Sequence, residues 1–274
     1  MSVFVDAKVR LIIHGITSTE GQKLAQKMLL FGTDIAAGVV PGRGGDWVCD
    51  GKVPVFDSTR SAVEFTGANT ALITVPSRFA KDALMECASS GVSMVICTTE
   101  NIPMKDMMLV KQFYKKHNVK LLGPSSPGIF SPEQVMIGSF PYQNLKKGRI
   151  GVVSRSGSLT YEAINCLAVH DIGISTCVGI GAAPIHGIGF IEILEAMQMD
   201  PQTDEIILIG KVDSPEEEQA LRYAMRSILK PLVIYLYGYS RADNIDIKDI
   251  ERIYPLAKTF EEIPQLLKTN QPKK

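Results

Sequence analysis

The sequence predicts an α/β fold of two units, each built on a parallel sheet. Short, continuous apolar runs recur along the 274-residue chain, as strands buried on both faces require. Segments of helical periodicity, each about ten residues long, alternate with them and imply βαβ units. Each run ends in small, polar or Pro/Gly residues, the composition of the sheet edge where such folds hold ligands.

The elements follow in order. Val9 to Ile13 is the first strand; it passes through His14-Gly15-Ile16-Thr17-Ser18-Thr19-Glu20-Gly21 into a helix from Gln22 to Leu30. Strand, glycine turn and helix open a dinucleotide-type fold, although the glycines are spaced differently from GxGxxG. A second strand, Asp34 to Val40, ends in Pro41-Gly42-Arg43-Gly44-Gly45. Where an NAD site places an acid, this loop offers Arg43, which suits the phosphorylated ribose of CoA or NADP. Val53 to Asp57 is extended, with a helix from Ser58 to Phe65. Strand Ala71 to Val75 leads through Pro76 to a helix over Ala80–Ser89. Strand Met94 to Cys97 ends at Thr98-Thr99-Glu100, followed by a helix over Lys105–His117 and a strand over Lys120–Leu122. Ser125 to Lys147, with Pro127, Pro132 and Pro141, reads as loop.

The second unit opens at Ile150–Val153. The chain then turns through Ser154, Arg155, Ser156, Gly157 and Ser158 into a helix from Leu159. A strand turning through Ser and Gly into a helix directs free N–H groups at one point and suits an anion; any of the three serines serves as its cap. Further strands are Thr176–Ile180, Ile206–Ile209 and Leu232–Tyr237. Helices cover Phe190–Met197 and begin again at Ser214-Pro215, where Glu216 to Glu218 read as a solvated first turn. Ile263 to Leu267 closes the chain as a short helix, and Thr269 to Lys274 is expected to fray.

Composition excludes several classes. Lys+Arg and Asp+Glu are both 29, so there is no basic excess for nucleic acid. No apolar run reaches the roughly 20 residues that span a bilayer, and the N-terminal residues lack a signal-peptide pattern. The five cysteines form no CxxC pair, which fits core thiols in a reducing, cytoplasmic setting. The four histidines show no metal-ligand spacing. Trp47 and Cys49 follow Arg43, and two readings stay open for them: a cover over a bound adenine, or a plain surface loop.

Seven blocks occur in order: Pro41-Gly42-Arg43-Gly44-Gly45, Val75-Pro76, Thr99-Glu100-x-Ile102-Pro103, Gly123-Pro124-x-x-Pro127-Gly128, Ser154 to Glu162, Cys177 to Gly181, and Asp200-Pro201-x-Thr203. Together they resemble the α subunit of succinyl-CoA synthetase and, more broadly, the ADP/GDP-forming acyl-CoA ligases and ATP-citrate lyase, over about residues 1 to 237. The resemblance implies a Rossmann-like CoA-binding domain over 1–124 and a flavodoxin-like ligase domain over 125–274. It implies CoA as the cofactor and an ATP-grasp β-type subunit as partner in a hetero-oligomer. Thr17, Ser18, Thr19 and Glu20 would lie along the CoA phosphates, with Arg43 on CoA. Val75, Pro76, Thr98, Thr99 and Glu100 would line the nucleotide and pantetheine path. Ser156, Gly157 and Ser158 would hold a phosphate, with Tyr161 near the acyl substrate.

Departures from the family pattern are expected to matter as much. The family passes a phosphoryl group through a histidine in a loop such as Gly-His-Ala-Gly, after the strand matching Leu232–Tyr237. Here Gly238 to Ile247 holds no histidine and is too short for that loop; none follows His186. Lys211 stands where an acid orients the phosphohistidine. Gly181-Ala182-Ala183-Pro184 replaces Gly-Gly-Asp-Pro, and Ser125-Ser126 replaces Asn-Cys. Three readings stay open. The chain binds CoA or an acyl-CoA without the relay, acting with or regulating a β-type partner. Alternatively it is an active ligase, using His186 (otherwise a plain exposed loop histidine) as acceptor, or a direct acyl-phosphate route steadied by Lys211 and Arg155. Third, Arg43 serves an NADP-dependent oxidoreductase.

Overall fold

The computed structural model describes residues 3–211, 214–238 and 251–267. A first seven-stranded sheet contains β1 (Leu11–His14), β2 (Ile35–Val39), β3 (Trp47–Val48), β4 (Val53–Phe56), β5 (Thr70–Ile73), β6 (Met94–Cys97) and β7 (Lys120–Leu122), in the order β3-β4-β2-β1-β5-β6-β7. Its helices are α1 (Thr19–Phe31), α2 (Thr59–Thr66), α3 (Ser77–Ala88) and α4 (Met104–His117). The second sheet holds β8 (Gly128–Ser131), β9 (Val135–Gly138), β10 (Lys147–Ser154), β11 (Ile174–Gly179), β12 (Glu205–Lys211), β13 (Leu232–Tyr237) and β14 (Leu256–Ala257), in the order β14-β13-β12-β10-β11-β8-β9. Its helices are α5 (Gly157–Val169), α6 (Phe190–Met199), α7 (Pro215–Ser227) and α8 (Ile263–Leu266).

The predicted α/β alternation is present in both units, with a correction to the sheets. β3 pairs antiparallel with β4, and β8 pairs antiparallel with both β9 and β11, so each sheet is mixed at one edge. The hairpin β8–β9 lies inside the stretch read as loop. Gly128 and Gly138 are direct partners in it, each at a positive φ, and a β-carbon on either would overlap the opposite backbone. Only glycine permits that approach, and the same glycines disguise the strands in the sequence. The expected fraying of the tail from Thr269 falls outside the described residues, as do 239–250 after β13.

Both sheets reverse strand order at a central strand. β1 pairs with β2 on one side and β5 on the other; β10 pairs with β11 and β12. The crevice beyond the carboxyl end of such a strand is where open α/β sheets bind ligands. The two stretches marked in the sequence as strand-to-helix turns are therefore the two switch points.

Local chemistry explains each turn. Gly15 has φ +85° and sits so close to Thr74 and Val75 after β5 that a side chain would have to displace them. Gly21 in the first turn of α1 backs directly onto the Gly15 carbonyl. Two glycines six apart thus do here what the GxGxxG spacing does elsewhere: one makes the turn, the other lets helix meet strand. Ser18 caps α1, accepting from the Gly21 N–H at 2.9 Å. At β10, Ser154 is fully buried; it accepts from the Ser156 N–H and donates to the Ser156 carbonyl, both at 3.1 Å. Of the three candidate caps, Ser156 is the one that caps α5.

At the end of β1, His14 is buried against Thr59 (Nε2–Oγ1 2.9 Å) and Cys87 (3.3 Å). Burial lowers its pKa from 6.5 to about 4. The unfolded chain therefore takes up a proton below 6.5 that the folded chain refuses until about 4, so stability falls as pH drops through that window. The loss is roughly 3 kcal/mol by about pH 4. Urea midpoints from pH 7 to 4.5 measure it, and His14→Gln is expected to remove that part of the slope.

Candidate functional site

The two carboxyl edges meet across a cleft of about 910 Å³. Thr98, Glu100, Asn101 and Ile102 after β6 line it from the first unit, with Leu24 of α1. From the second unit come Ser139 after β9, Ser156, Gly157, Ser158 and Tyr161 of α5, and Ala182 to Pro184 after β11. The connection Ser125 to Pro127 completes it. The surface is rich in neutral hydroxyls around a helix N-terminus, an environment that accepts anionic or polar groups.

Among the residues expected at the site, Thr98, Glu100, Ser156, Gly157, Ser158 and Tyr161 line this cleft. Thr99 lies beneath it, nearly buried, its hydroxyl donating to the Val75 carbonyl at 2.7 Å. Thr17, Ser18, Thr19 and Glu20 form the turn into α1, and Val75 and Pro76 the turn after β5; neither group lines the cleft, and both sit at the same carboxyl edge. Arg43 is half exposed on the loop after β2, where its Nε pairs with Asp46. Trp47, also exposed, borders a separate hollow of about 450 Å³ with Phe56 and Phe65. Cys49 is buried, so only Trp47 of that pair faces outward.

Tyr161 packs edge-on against Phe140, with ring centroids 6.0 Å apart. Burial, with the nearby Cys177, raises its pKa against a hydrogen bond from Ser139, so it remains a phenol. Lys27 of α1 donates to Ser139 at 3.2 Å and so brings a cation to the cleft's edge. Neither residue was marked by the sequence: Ser139 follows the unrecognised hairpin, and Lys27 reads as one polar residue among several on an amphipathic helix.

The residues considered for the active-ligase route lie elsewhere. Arg155 does not line the cleft; its guanidinium is 3.2 Å from Glu216, 3.3 Å from Glu217 and 3.2 Å from the Ala183 carbonyl. Lys211 ends β12 exposed, its stem alongside Gly238. His186 is only 7% exposed, a correction to its reading as an exposed loop residue, and its Nε2 is 2.7 Å from Glu216. Glu216 to Glu218 are likewise not a simple solvated turn. Glu217 is fully buried, accepting from Arg155, Ser214 and the Lys211 N–H, the last at 3.3 Å. Burial pushes Glu216 up, but the hydrogen bond and charge of His186, with Arg155 and Lys111, outweigh it and hold the carboxyl below its ordinary range.

Among the described residues no group of three or more His, Cys, Asp or Glu is arranged to hold a metal ion, and no helix is long and apolar enough to cross a membrane.

Comparison with known proteins gives the following. Residues 6–101 match the model of a CoA binding domain, and residues 147–248 that of the succinyl-CoA ligase like flavodoxin domain. The chain is 42% identical over 240 residues to the succinate–CoA ligase [ADP-forming] subunit alpha of Aquifex aeolicus, covering 87% of this chain and 78% of that one. It is 41% identical over 238 residues to the same subunit of Staphylococcus epidermidis, with the same coverage. In fold it matches ATP citrate lyase from Methanothrix soehngenii in complex with citrate and coenzyme A, at TM-score 0.83 and 18% identity; the match covers 98% of this chain and 50% of that one. A dinucleotide-forming acetyl-coenzyme A synthetase from Ca. Korarchaeum cryptofilum matches at TM-score 0.77 and 18% identity, over 94% of this chain and 61% of that chain.

Proposed function

This chain belongs to the succinate–CoA ligase α-subunit family, and we propose that it binds CoA or an acyl-CoA without running the phosphohistidine relay. It acts with, or regulates, an ATP-grasp β-type partner in a reducing, cytoplasmic compartment. The domain division falls at 124/125, between β7 and β8. CoA lies along Thr17 to Glu20, reaches Arg43 at its ribose phosphate, and passes Val75, Pro76 and Thr98 to Glu100 into the cleft. Ser156, Gly157 and Ser158 hold a phosphate or other anion at the N-terminus of α5, with Tyr161 near the acyl group.

The observation that carries this reading is the cleft itself: hydroxyls from both units around the N-terminus of α5, with no histidine among the described residues of its walls. The connection from β13 to its parallel neighbour β14, residues 238–255, contains no histidine either. Its segment 239–250 lies outside the described residues. The direct acyl-phosphate alternative loses support, because Arg155 is neutralised by Glu216 and Glu217 and Lys211 is off the cleft.

Isothermal titration tests the reading. CoA is expected to bind at one site. Arg43→Ala should weaken CoA about tenfold while leaving dephospho-CoA, which lacks the ribose phosphate, nearly unchanged. Equal losses for both ligands would remove Arg43 from the phosphate. Incubation with labelled ATP, alone or with a co-expressed ATP-grasp β-type subunit, should leave no acid-labile phosphate on the chain; labelling would restore the relay.

A further inference from the structure

We infer that Lys27 is a specificity-determining residue: with Ser139 and Tyr161 it reads a carboxylate carried on the acyl group of an acyl-CoA in the cleft. This deepens the CoA reading and rests on it.

The cleft's charges make the argument. Among the described residues that line it, Glu100 alone carries a charged side chain; the other polar groups are neutral hydroxyls and the Asn101 amide. The N-terminus of α5 serves one anion. An acyl group that ends in a carboxylate brings a further negative charge, and burying that charge without a partner is costly. Two cations touch the walls from behind. Arg155 reaches the Ala183 carbonyl, but Glu216 and Glu217 already hold its guanidinium. Lys27 is different. Its Nζ donates to Oγ of Ser139 at 3.2 Å, and Ser139 lines the cleft. The direction of that bond is fixed, since an ammonium only donates. Among the described residues Lys27 meets no carboxylate, and the hydroxyl that holds it is neutral. Two of its three N–H groups are left for a ligand.

Helix α1 sets the position. Leu24 lines the cleft, and Lys27, three residues on, is its neighbour on the same side of the helix. Glu20 precedes Lys27 by two turns, about 10 Å along the axis. In the CoA reading the phosphates lie at the start of α1, so the arm that runs from them into the cleft passes Leu24 before it reaches Lys27. Ser139 is also hydrogen-bonded to Tyr161, to whose oxygen it donates, so the phenol keeps its own O–H for the cleft. A charged donor and a phenol donor thus flank Ser139, a pair that suits the two oxygens of one carboxylate. A neutral acyl group of the same length has no use for the ammonium, and from that difference the selectivity arises.

The test uses the full chain and two stable CoA thioethers of equal length, S-butyl-CoA and S-(3-carboxypropyl)-CoA. They differ only in whether the last carbon is a methyl or a carboxylate. By calorimetry at neutral pH the wild type should prefer the carboxylate form about tenfold, the effect of one charge-assisted hydrogen bond. Lys27→Met should bring the preference to within about twofold. Lys27→Arg, which keeps the charge, should restore it, a rescue that a merely structural lysine would not give. A wild-type preference within about twofold overturns the inference; so does a preference that Lys27→Met keeps, or a wild type that binds CoA and neither thioether. Wild-type protein that binds none of the three sinks the CoA reading instead. Free butyrate then decides the Lys27 site: ¹⁵N amide shifts at Ser139 and Tyr161 that vanish in Lys27→Met uphold it, and shifts that persist there, or none in the wild type, overturn it. Should Lys27→Met not fold, Lys27→Gln takes its place, with the same outcomes.

Discussion

Arg155→Met is expected to cost about 3–5 kcal/mol of folding stability, because it removes the cation from a buried ion pair and leaves the carboxylate behind. Arg155 is 16% exposed and Glu217 is fully buried. The guanidinium also holds Glu216, Ser214 and the Ala183 carbonyl, so methionine fills much of the volume and satisfies none of the acceptors. Urea denaturation at neutral pH measures the loss. The double variant Arg155→Met, Glu217→Leu should regain most of it, since replacing both partners of a buried pair is often neutral. A single variant within about 1 kcal/mol of wild type would mean that the pair behaves as a solvated surface contact.

The second large effect is expected at Gly187. A β-carbon there would overlap the Leu121 carbonyl oxygen and crowd the Leu121 side chain. The obstruction is strand backbone in β7, which a rotamer change does not relieve. Gly187→Ala must therefore part the loop from β7, breaking the bonds to Gly123 and Leu121. A destabilisation of about 3 kcal/mol, the upper part of the usual overpacking range, is expected in urea melts. CoA affinity should fall with it, because the same loop supplies Ala182 to Pro184 to the cleft. Gly51→Ala provides a control for glycine loss in general: its position is open, so only its positive φ is strained. Equal effects at both positions would contradict the steric account.

Much of the fold was legible because each central strand is an unbroken apolar run closed by Gly, Pro or hydroxyl residues. Met94–Cys97, Lys120–Leu122 and Leu232–Tyr237 have the bounds read from the sequence. The hairpin β8–β9 was not legible. Its prolines and glycines are loop signals, and they are tolerated here because the strands lie at a sheet edge and cross at a glycine pair. The two-residue strands β3 and β14 offer no periodicity to detect.

The cleft's parts were visible as isolated turns, since hydroxyl and glycine clusters after strands carry a local signal. Their grouping was not. His186 and Glu216 are 30 apart in sequence, one in a Pro/Gly loop and the other in an acidic helix start, and each alone reads as solvent-facing. Only the packing of α7 beside the loop after β11 makes them partners. Ser139 and Lys27 escaped notice for the same reason, and Ala182–Pro184 stood out only as a departure from the family pattern: small or ordinary residues become site residues through placement, not through type.

In the proposed function CoA occupies the space between the two carboxyl edges. Amide hydrogen exchange with and without CoA tests it most directly. Protection is expected together over 15–21, 98–102, 156–161 and 182–184, with little change on the distant faces of the helices. Protection confined to the first unit, or none at saturating CoA, would contradict the account.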